Sequence, residues 1–168
     1  MIPPDQTQVI LALGSNLGDR FENLQQALKD ISLRVSIIKI SSVYETPPWG
    51  YSDQPVFFNQ VLSGNTSLNP VELLTFVKNI ENSMGRVKNF QNGPRLIDID
   101  ILLFGEKIID SEKLVIPHPR MLERGFVMLP LAEIEPELII PGTNKKVLEL
   151  LQNVDKTGIQ KLEFEKKK

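Results

Sequence analysis

One apolar run that carries two carboxylates constrains the chain most. Residues 97–104 are apolar except for Asp98 and Asp100, and the many β-branched isoleucines predict a strand. Because side chains alternate along a strand, one face is expected to carry Asp98, Asp100 and Leu102, and the core-facing side Ile97, Ile99, Ile101 and Leu103. The two carboxylates would stand about 7 Å apart at their Cα atoms. This spacing suits two divalent cations about 4 Å apart, as in two-metal phosphoryl transfer.

A short motif of two acids also has an ordinary explanation. An edge strand with one solvated face would carry two such surface acids, and short motifs match by chance. Two like charges on a mostly buried strand, however, are costly unless cations compensate them. Arg95 lies three residues upstream of Asp98, just after the turn signal Gly93-Pro94. These neighbours favour a binding site over a solvated surface.

Composition limits the class of protein. With 168 residues, 41% of them hydrophobic and 24% charged, the chain is expected to form a single domain over residues 1–168, with flexible ends at 1–7 and about 160–168. It has no cysteine, which excludes disulfides and thiolate metal sites. A net charge of −2 argues against a nucleic acid or an anionic membrane as partner. No apolar run approaches about 18 residues and the first residues resemble no targeting signal, so a cytoplasmic protein is expected.

The hydrophobic periodicity predicts strands and helices in alternation. Asp19 is expected to cap a first helix, and Asn69 a second helix that begins at Pro70 and stops at Gly85. The predicted strands cover residues 8–13, 35–44, 56–65 and 97–104, with a short one at 108–109. The predicted helices cover about 20–32, 70–84, 126–134 and 147–154, and residues 136–142 are expected to form a loop.

Three loops and the only histidine carry candidate ligand-binding groups. The stiff segment 45–51, which holds Trp49, is either the wall of a pocket for a flat ligand or a surface loop with its aromatic side chain tucked into the core. The basic segment 86–92 is either a lid over a polyanion or a solvated connection. The Gly-Ser-Asn turn at 14–16 could cradle phosphate, although most such turns are structural. His118 lies between two prolines with two arginines nearby, a fixed and cationic setting.

Four blocks of residues point to one family. In chain order they are Ala-Leu-Gly-Ser-Asn-Leu-Gly at 12–18, Tyr-Glu-Thr-Pro-Pro-Trp-Gly at 44–50, Gly-Pro-Arg with Asp-Ile-Asp at 93–100, and Pro-His-Pro-Arg-Met with Arg-Gly-Phe at 117–126. With these blocks the chain resembles the 6-hydroxymethyl-7,8-dihydropterin pyrophosphokinase family over about residues 9–151. The resemblance implies an α+β fold with a ferredoxin-like βαββαβ core, in which a mostly antiparallel sheet has helices packed on both faces. The predicted order of elements agrees with that fold.

The resemblance implies a reaction and its cofactors. Pyrophosphate would pass from ATP, the co-substrate, to 6-hydroxymethyl-7,8-dihydropterin in folate biosynthesis, with release of AMP. Two Mg²⁺ ions would be held by Asp98 and Asp100, because charge must be neutralised on both sides of the attacked β-phosphorus. We expect only small molecules as partners, a monomer, and no binding to nucleic acid or membrane.

The resemblance also assigns roles by position. Catalytic roles fall to Arg86, Arg95, Asp98 and Asp100, and ATP contacts to Arg86, Lys88, Arg95, Ile101, His118 and Arg124. Pterin contacts fall to Thr46, Pro47, Pro48, Trp49, Phe57, Asn59 and Phe126, with the two phenylalanine rings on either side of the pterin. Arginine offers phosphate a planar fork, and the histidine can donate through a ring nitrogen. Asp100 could accept the substrate's hydroxyl proton, or Mg²⁺ alone could acidify that hydroxyl.

Two other functions fit parts of the pattern. Some nucleotidyltransferases carry Gly-Ser on a turn closely followed by Asp-x-Asp, and they would release pyrophosphate rather than AMP. Here Gly14-Ser15 lies far upstream of Asp98, across two predicted helices. A ferredoxin-like module that only binds a small ligand is the non-catalytic alternative. Such a module would need neither two acids on one strand nor four cationic side chains beside them.

Overall fold

The chain builds one large antiparallel sheet with helices on both of its faces. The computed structural model describes residues 2–48, 53–85 and 94–163. The strands are β1 Thr7–Ser15, β2 Ser36–Ile40, β3 Tyr44–Thr46, β4 Phe57–Thr66, β5 Asp98–Phe104, β6 Ile109–Asp110, β7 Val115–Ile116, β8 Ile139–Ile140, β9 Lys145–Lys146 and β10 Gln160–Lys161. The helices are α1 Arg20–Ile31, α2 Pro70–Ser83, α3 Gly125–Ile134 and α4 Val147–Leu151, with a 3-10 turn at Met121–Glu123.

The strand order confirms the predicted fold. The sheet runs β10-β3-β4-β1-β5, with β2 also paired to β4, and all of these pairings are antiparallel. The connections β1-α1-β2 and β4-α2-β5 give the βαββαβ order of a ferredoxin-like core. The central strand β1 therefore pairs along its length with both β4 and β5. This places the two acids of β5 beside the end of β1.

The two predicted helix caps are present. Asp19 accepts a hydrogen bond from the backbone N–H of Glu22 at 3.0 Å, at the start of α1. At the start of α2, Asn69 accepts from the Glu72 N–H at 2.8 Å, and the Glu72 carboxylate accepts from the Asn69 N–H at 3.0 Å. Each cap satisfies N–H groups that the first turn of a helix leaves without an intrahelical partner.

Each face of the sheet covers its own core. Beneath α1 and α2 the buried residues include Leu24, Ala27, Ile31, Leu73, Val77, Ile97, Ile99 and Ile101. Beneath α3 and α4 they include Ile10, Val61, Leu102, Val127, Met128, Leu131 and Val147. Because both faces are buried, the central strand β1 is apolar on both sides over residues 9–13. No helix within the described ranges is long and apolar enough to cross a bilayer.

The predicted strand over residues 35–44 is wrong as a single strand. It divides into β2 and β3 at Ser41, which is 3% exposed. The Ser41 hydroxyl accepts from the Val61 N–H of β4 at 2.9 Å, and the Ser41 carbonyl accepts from the Gln60 side chain at 2.8 Å. These side-chain bonds replace part of the regular ladder, so the strand bends at this position.

The predicted alternation along β5 fails near its end. Ile101 packs in the core beneath α1 and α2, but Leu102 and Leu103 both pack in the opposite core. The register between β1 and β5 shifts between Ile10 and Leu11, so β5 carries one extra residue there. Such a bulge turns the following side chain to the other face. The prediction that Leu103 shares a face with Ile101 is therefore wrong.

The C-terminal part is more regular than predicted. The expected loop at 136–142 contains β8, which pairs with β9 in a two-stranded ribbon. The last helix stops at Leu151, although it was predicted to reach residue 154. After its end, the Lys156 ammonium donates to the carbonyls of Leu151 and Val154 at 3.0 and 2.9 Å. Near the end of the described residues, β10 pairs with β3, although no strand was predicted there.

Candidate active site

One cleft gathers most of the predicted site residues. It lies where β1, β3, β4, β5 and the start of α3 meet. It is lined by Ala12, Leu13, Gly14, Thr46, Pro47, Phe57, Asn59, Arg95, Asp98, Asp100, Arg124, Phe126 and Val127. One part of the lining is charged and the other is largely apolar.

Asp98 is held by an arginine from the loop that enters β5. The Arg95 Nη1 lies 2.8 Å from the Asp98 Oδ2, and each side chain is about one-fifth exposed. The backbone of Arg95 is held in turn by Asn16, which accepts from its N–H at 2.8 Å and donates to its carbonyl at 3.0 Å. The predicted cation beside Asp98 is therefore present, and hydrogen bonds to the main chain of Arg95 fix its position.

Asp100 lies near a second arginine, and yet its pKa is raised. The Arg124 Nη1 is 3.9 Å from the Asp100 Oδ2. Burial raises the pKa of Asp100 to about 7, with a second contribution from the charge of Asp98, although Arg124 opposes the shift. A cation bound beside Asp100 would offset both its desolvation and the charge of Asp98, and would so favour the ionised carboxylate.

Two acids are a sufficient protein contribution for Mg²⁺ at such a site. Within the described parts of the chain, no group of three or more His, Asp or Glu side chains could hold a metal ion. Magnesium at phosphoryl-transfer sites uses one or two carboxylates, together with water and substrate phosphates. Asp98 and Asp100 on one wall of the cleft are consistent with this arrangement. The alternative explanation, an edge strand with two solvated surface acids, is correct only in that β5 ends the sheet path, because Asp98 and Asp100 line a cleft.

His118 is fixed as a neutral hydrogen-bond donor close to β5. Its backbone N–H donates to the Leu102 carbonyl at 3.0 Å, and its Nδ1 accepts from the Arg120 N–H at 3.2 Å. Burial, and then the charge of Arg124, lowers the pKa of His118 to about 4. The neutral ring therefore carries its proton on Nε2, the nitrogen that can donate to a phosphate oxygen. His118 does not line the cleft, but the charges of Asp98 and Arg124 act on it.

The apolar part of the cleft has a fixed polar group at its base. The Asn59 Nδ2 donates to the Thr46 Oγ1 at 2.5 Å, and both residues are buried. A Cβ on Gly14 would lie 2.7 Å from the Asn59 Oδ1 and 3.5 Å from the Phe57 ring, so only glycine allows this close approach. Phe57 and Phe126 are half-buried cleft residues. Flat aromatic ligands suit such a place.

Some of the predicted contacts lie elsewhere. The side chain of Ile101 is 4% exposed in the core beneath α1 and α2, so only its backbone could contact a nucleotide. Pro48 is half-buried but does not line the cleft. Trp49, Arg86 and Lys88 lie outside the described residues.

Two buried polar residues support the site and were missed by the sequence analysis. Asn16 is 1% exposed and donates to the Gln54 side chain at 2.8 Å and to the Pro55 carbonyl at 3.0 Å. Glu81 of α2 is fully buried, and its carboxylate accepts from the N–H of Ile99, between the two acids, at 2.8 Å. A signal was present for Glu81, because it follows the core residue Val77 by four positions, on the same helix face.

Comparison with known proteins identifies the family of the chain. A model of the 7,8-dihydro-6-hydroxymethylpterin-pyrophosphokinase family matches residues 10–136. The 2-amino-4-hydroxy-6-hydroxymethyldihydropteridine pyrophosphokinase of Bacillus subtilis is 51% identical over 126 residues, which cover 74% of this chain and 75% of that protein. The folic acid synthesis protein fol1 of Pneumocystis carinii is 42% identical over 151 residues, or 89% of this chain. The chain spans only 20% of the length of that relative.

A solved structure shows the same fold. The chain resembles Plasmodium falciparum HPPK-DHPS with a TM-score of 0.70 at 19% identity, over 88% of this chain and 43% of that one. This likeness concerns the fold alone, and it agrees with the ferredoxin-like topology. The names of the matched relatives confirm the expected class of enzyme, a pyrophosphokinase. The family match covers well over half of the chain, and the chain therefore belongs to the 7,8-dihydro-6-hydroxymethylpterin-pyrophosphokinase family.

Proposed function

We propose that this protein transfers pyrophosphate from ATP to the hydroxymethyl oxygen of 6-hydroxymethyl-7,8-dihydropterin, a step of folate biosynthesis. The observation that carries the proposal is the composition of the cleft. Two carboxylates and two arginines line it together with two aromatic rings and a buried amide. A flat heterocycle and a polyphosphate can therefore lie side by side in it, as the reaction requires.

The apolar part would bind the pterin. Phe57 and Phe126 offer ring faces, and Asn59 with Thr46 offers a fixed hydrogen-bonding group at the base of the cleft. Burial of both polar residues means that their orientation is set before the ligand arrives, which lowers the entropic cost of binding. We also propose that Pro47, Pro48 and Trp49 contact the pterin, since Pro47 lines the cleft.

The charged part would bind the phosphates. Arg95 and Arg124 lie beside the two acids, and His118 offers a neutral ring with a proton on Nε2. Arg86, Lys88 and the backbone of Ile101 are further proposed contacts of ATP. Asp98 and Asp100 would hold two Mg²⁺ ions. When bound, these ions supply positive charge that neutralises the phosphate oxygens, and they acidify the hydroxyl of the pterin.

The proposed reaction has a balanced course. The hydroxymethyl oxygen forms a bond to the β-phosphorus of ATP, and the bond from that phosphorus to the α–β bridging oxygen breaks. AMP leaves with that oxygen and its electron pair, and the hydroxyl proton passes to the Asp100 carboxylate or to solvent water. Arg95 and Arg124 would stabilise the charge that develops on the phosphate oxygens during this exchange. Arg86 is proposed for the same role.

Product analysis of the purified protein tests the proposal. With ATP, Mg²⁺ and the hydroxymethyl dihydropterin, we expect AMP and a diphosphorylated pterin in equal amounts, and no product after addition of EDTA. Asp98→Asn is the matched variant, because it removes one acid and keeps the side-chain shape. ADP as the product would show that another phosphate bond is broken, and pyrophosphate would favour a nucleotidyltransferase. Either result would overturn the proposal.

Localisation and assembly complete the proposal. We propose a cytoplasmic monomer with small-molecule substrates only, as the composition led us to expect. A monomer would elute from a sizing column at the 19.0 kDa of its chain. Elution at twice that mass would contradict the monomer but not the reaction.

A further inference from the structure

The last part of the described chain contacts two parts of the molecule that line the cleft, Pro47 and the start of α3. We call residues 155–162 the C-terminal strap. Its strand β10 pairs with β3, Gln160 opposite Glu45 and Lys161 opposite Tyr44, and the Leu162 N–H donates to the Val43 carbonyl at 2.8 Å. Because β3 ends at Thr46, the strap holds the strand that carries this cleft residue. The strap lies beyond the residues that the family model matches.

The strap contacts the proline that lines the cleft. Gly158 has a φ of +78°, and a Cβ there would lie 2.8 Å from the Pro47 Cγ. A proline ring is stiff, so the two cannot separate by rotation of a side chain. The turn that presents Gly158 is itself held, because the Asp155 carboxylate accepts from both the N–H and the hydroxyl of Thr157, at 3.0 and 2.6 Å.

The strap also contacts the start of α3, next to Phe126. A Cβ on Gly125 would overlap the Asp155 carbonyl oxygen and would lie 2.8 Å from the Ile159 Cδ1. The backbone of the strap therefore packs directly on the first residue of the helix. Further along α3, the Lys161 Nζ lies 3.7 Å from the Glu133 Oε2.

From these contacts we infer that the C-terminal strap positions the pterin half of the cleft. It fixes Pro47 on one wall and the start of α3, with Phe126, on the other, and so sets the spacing of the pocket for a flat ring. Its residues act through these neighbours and are positioning residues, since none of them lines the cleft. The inference rests on the proposed function, and it assigns the strap to pterin binding and not to ATP binding.

A pair of glycine variants tests the inference. Gly158 and Gly142 both have positive φ, +78° and +86°, so alanine strains the backbone similarly at each. Only at Gly158 does the new Cβ press on Pro47; at Gly142 its nearest neighbour is the Ile108 Cδ1, at 3.8 Å. In the full-length protein, we expect Gly158→Ala to raise the KM for the pterin about tenfold, since displacements of about 1 Å have effects of this size or larger. The KM for ATP and kcat should stay at the wild-type values, and Gly142→Ala should leave all three unchanged.

A second variant removes the contact on the other wall. Ile159→Ala should also raise the KM for the pterin and leave that for ATP unchanged, and it carries the test if Gly158→Ala does not fold. If Gly158→Ala and Ile159→Ala match Gly142→Ala in pterin KM, or lower kcat and raise both KM values alike, the strap is merely structural and the inference is wrong. Wild-type protein that binds no pterin would instead overturn the proposed function, and that result needs no variant.

Discussion

Asn16 and Arg95, 79 residues apart in sequence, are joined by two hydrogen bonds, one between their main chains and one from the Arg95 main chain to the Asn16 side chain. The Asn16 N–H donates to the Arg95 carbonyl at 3.0 Å, and the Asn16 Oδ1 accepts from the Arg95 N–H at 2.8 Å. The remaining amide group of Asn16 donates to Gln54 and to the Pro55 carbonyl. One buried side chain thus joins the loop that precedes β4 to the loop that precedes β5. The Gly-Ser-Asn turn therefore has a structural role in fixing the arginine beside Asp98.

Asn16→Ala should reduce catalysis more than its loss of stability explains. The substitution leaves buried donors and acceptors without partners, which should cost about 2 kcal/mol of unfolding free energy. Because the Arg95 N–H would lose its acceptor, the Asn16 Oδ1, and the main chain of Arg95 would keep only the bond from the Asn16 N–H, we expect kcat/KM to fall about 10- to 100-fold. Urea denaturation and steady-state kinetics on the folded variant measure the two effects. The exposed Asn153→Ala is the control; a folded Asn16→Ala with wild-type kcat/KM would contradict the positioning role.

Asp100→Asn should stabilise the metal-free protein at neutral pH while it abolishes turnover. The pKa of Asp100 is raised from 3.8 to about 7, so between these values the native state holds a proton that the unfolded chain has lost. The contribution of Asp100 to stability therefore falls as pH rises through this window and is constant above it. The asparagine removes this penalty, and we expect about 2 kcal/mol of added stability at pH 8, after allowance for partial exposure.

The comparison for Asp100→Asn is made at two pH values. Denaturation without Mg²⁺ should show the gain at pH 8 and almost none near pH 3, below both pKa values, where the wild-type carboxyl is mostly protonated in both states. Turnover should fall at least about 1,000-fold, because a ligand of the proposed metal site is lost. Asp110→Asn, on the exposed strand β6, removes the same charge and should change neither quantity. Equal stability of Asp100→Asn and wild type at pH 8 would contradict the raised pKa.

Local patterns predicted the elements that local physics determines. The caps at Asp19 and Asn69 follow from residue types three positions apart, and the strand with Asp98 and Asp100 follows from a largely apolar run of eight residues. The division at Ser41 and the bulge that rotates Leu103 do not, because each depends on the register with a partner strand distant in sequence. The pairing of β10 with β3 is non-local in the same way.

The site shows the same division between local and distant causes. Asp98, Arg95 and their ion pair lie three residues apart, so the sequence alone could bring them together. The hydrogen bonds that Asn16 and Glu81 make to main-chain groups of other elements could not be predicted from the sequence, because they depend on the packing of elements distant along the chain. Residues that contact a ligand are thus easier to predict than those that hold them in place.

His118 should titrate far below the usual range, and this can be measured directly. Burial and the charge of Arg124 lower its pKa from 6.5 to about 4. Because the folded-state pKa is depressed, the native state favours the neutral ring, and the stability linked to it is complete above pH 6.5 and lost as pH falls towards 4. It is the only histidine of the sequence, so its imidazole NMR signals can be followed through a pH titration of untagged protein.

The controls for His118 come from its neighbour and its proposed ligand. Arg120→Gln removes an exposed positive charge that lowers the pKa of the ring, so it should raise that pKa slightly while the backbone bond to Nδ1 remains. Addition of ATP should raise it further, because phosphate oxygens favour the imidazolium. A pKa near 6.5 in the free protein would show that the ring is solvated and would contradict its fixed, neutral state.

The buried carboxylate of Glu81 should matter as an acceptor more than as a charge. It accepts from the Ile99 N–H at 2.8 Å, between the two acids, and lies 3.2 Å from the half-exposed Lys78 Nζ. Glu81→Gln keeps an oxygen for Ile99 and should cost at most about 1 kcal/mol, whereas Glu81→Leu leaves a buried N–H without its acceptor and should cost about 3 kcal/mol. Because Ile99 separates Asp98 from Asp100, we expect Glu81→Leu alone to raise the Mg²⁺ concentration that supports half-maximal turnover. Denaturation curves and Mg²⁺ titrations of both variants measure this, and equal damage from the two substitutions would show instead that the negative charge is what the site requires.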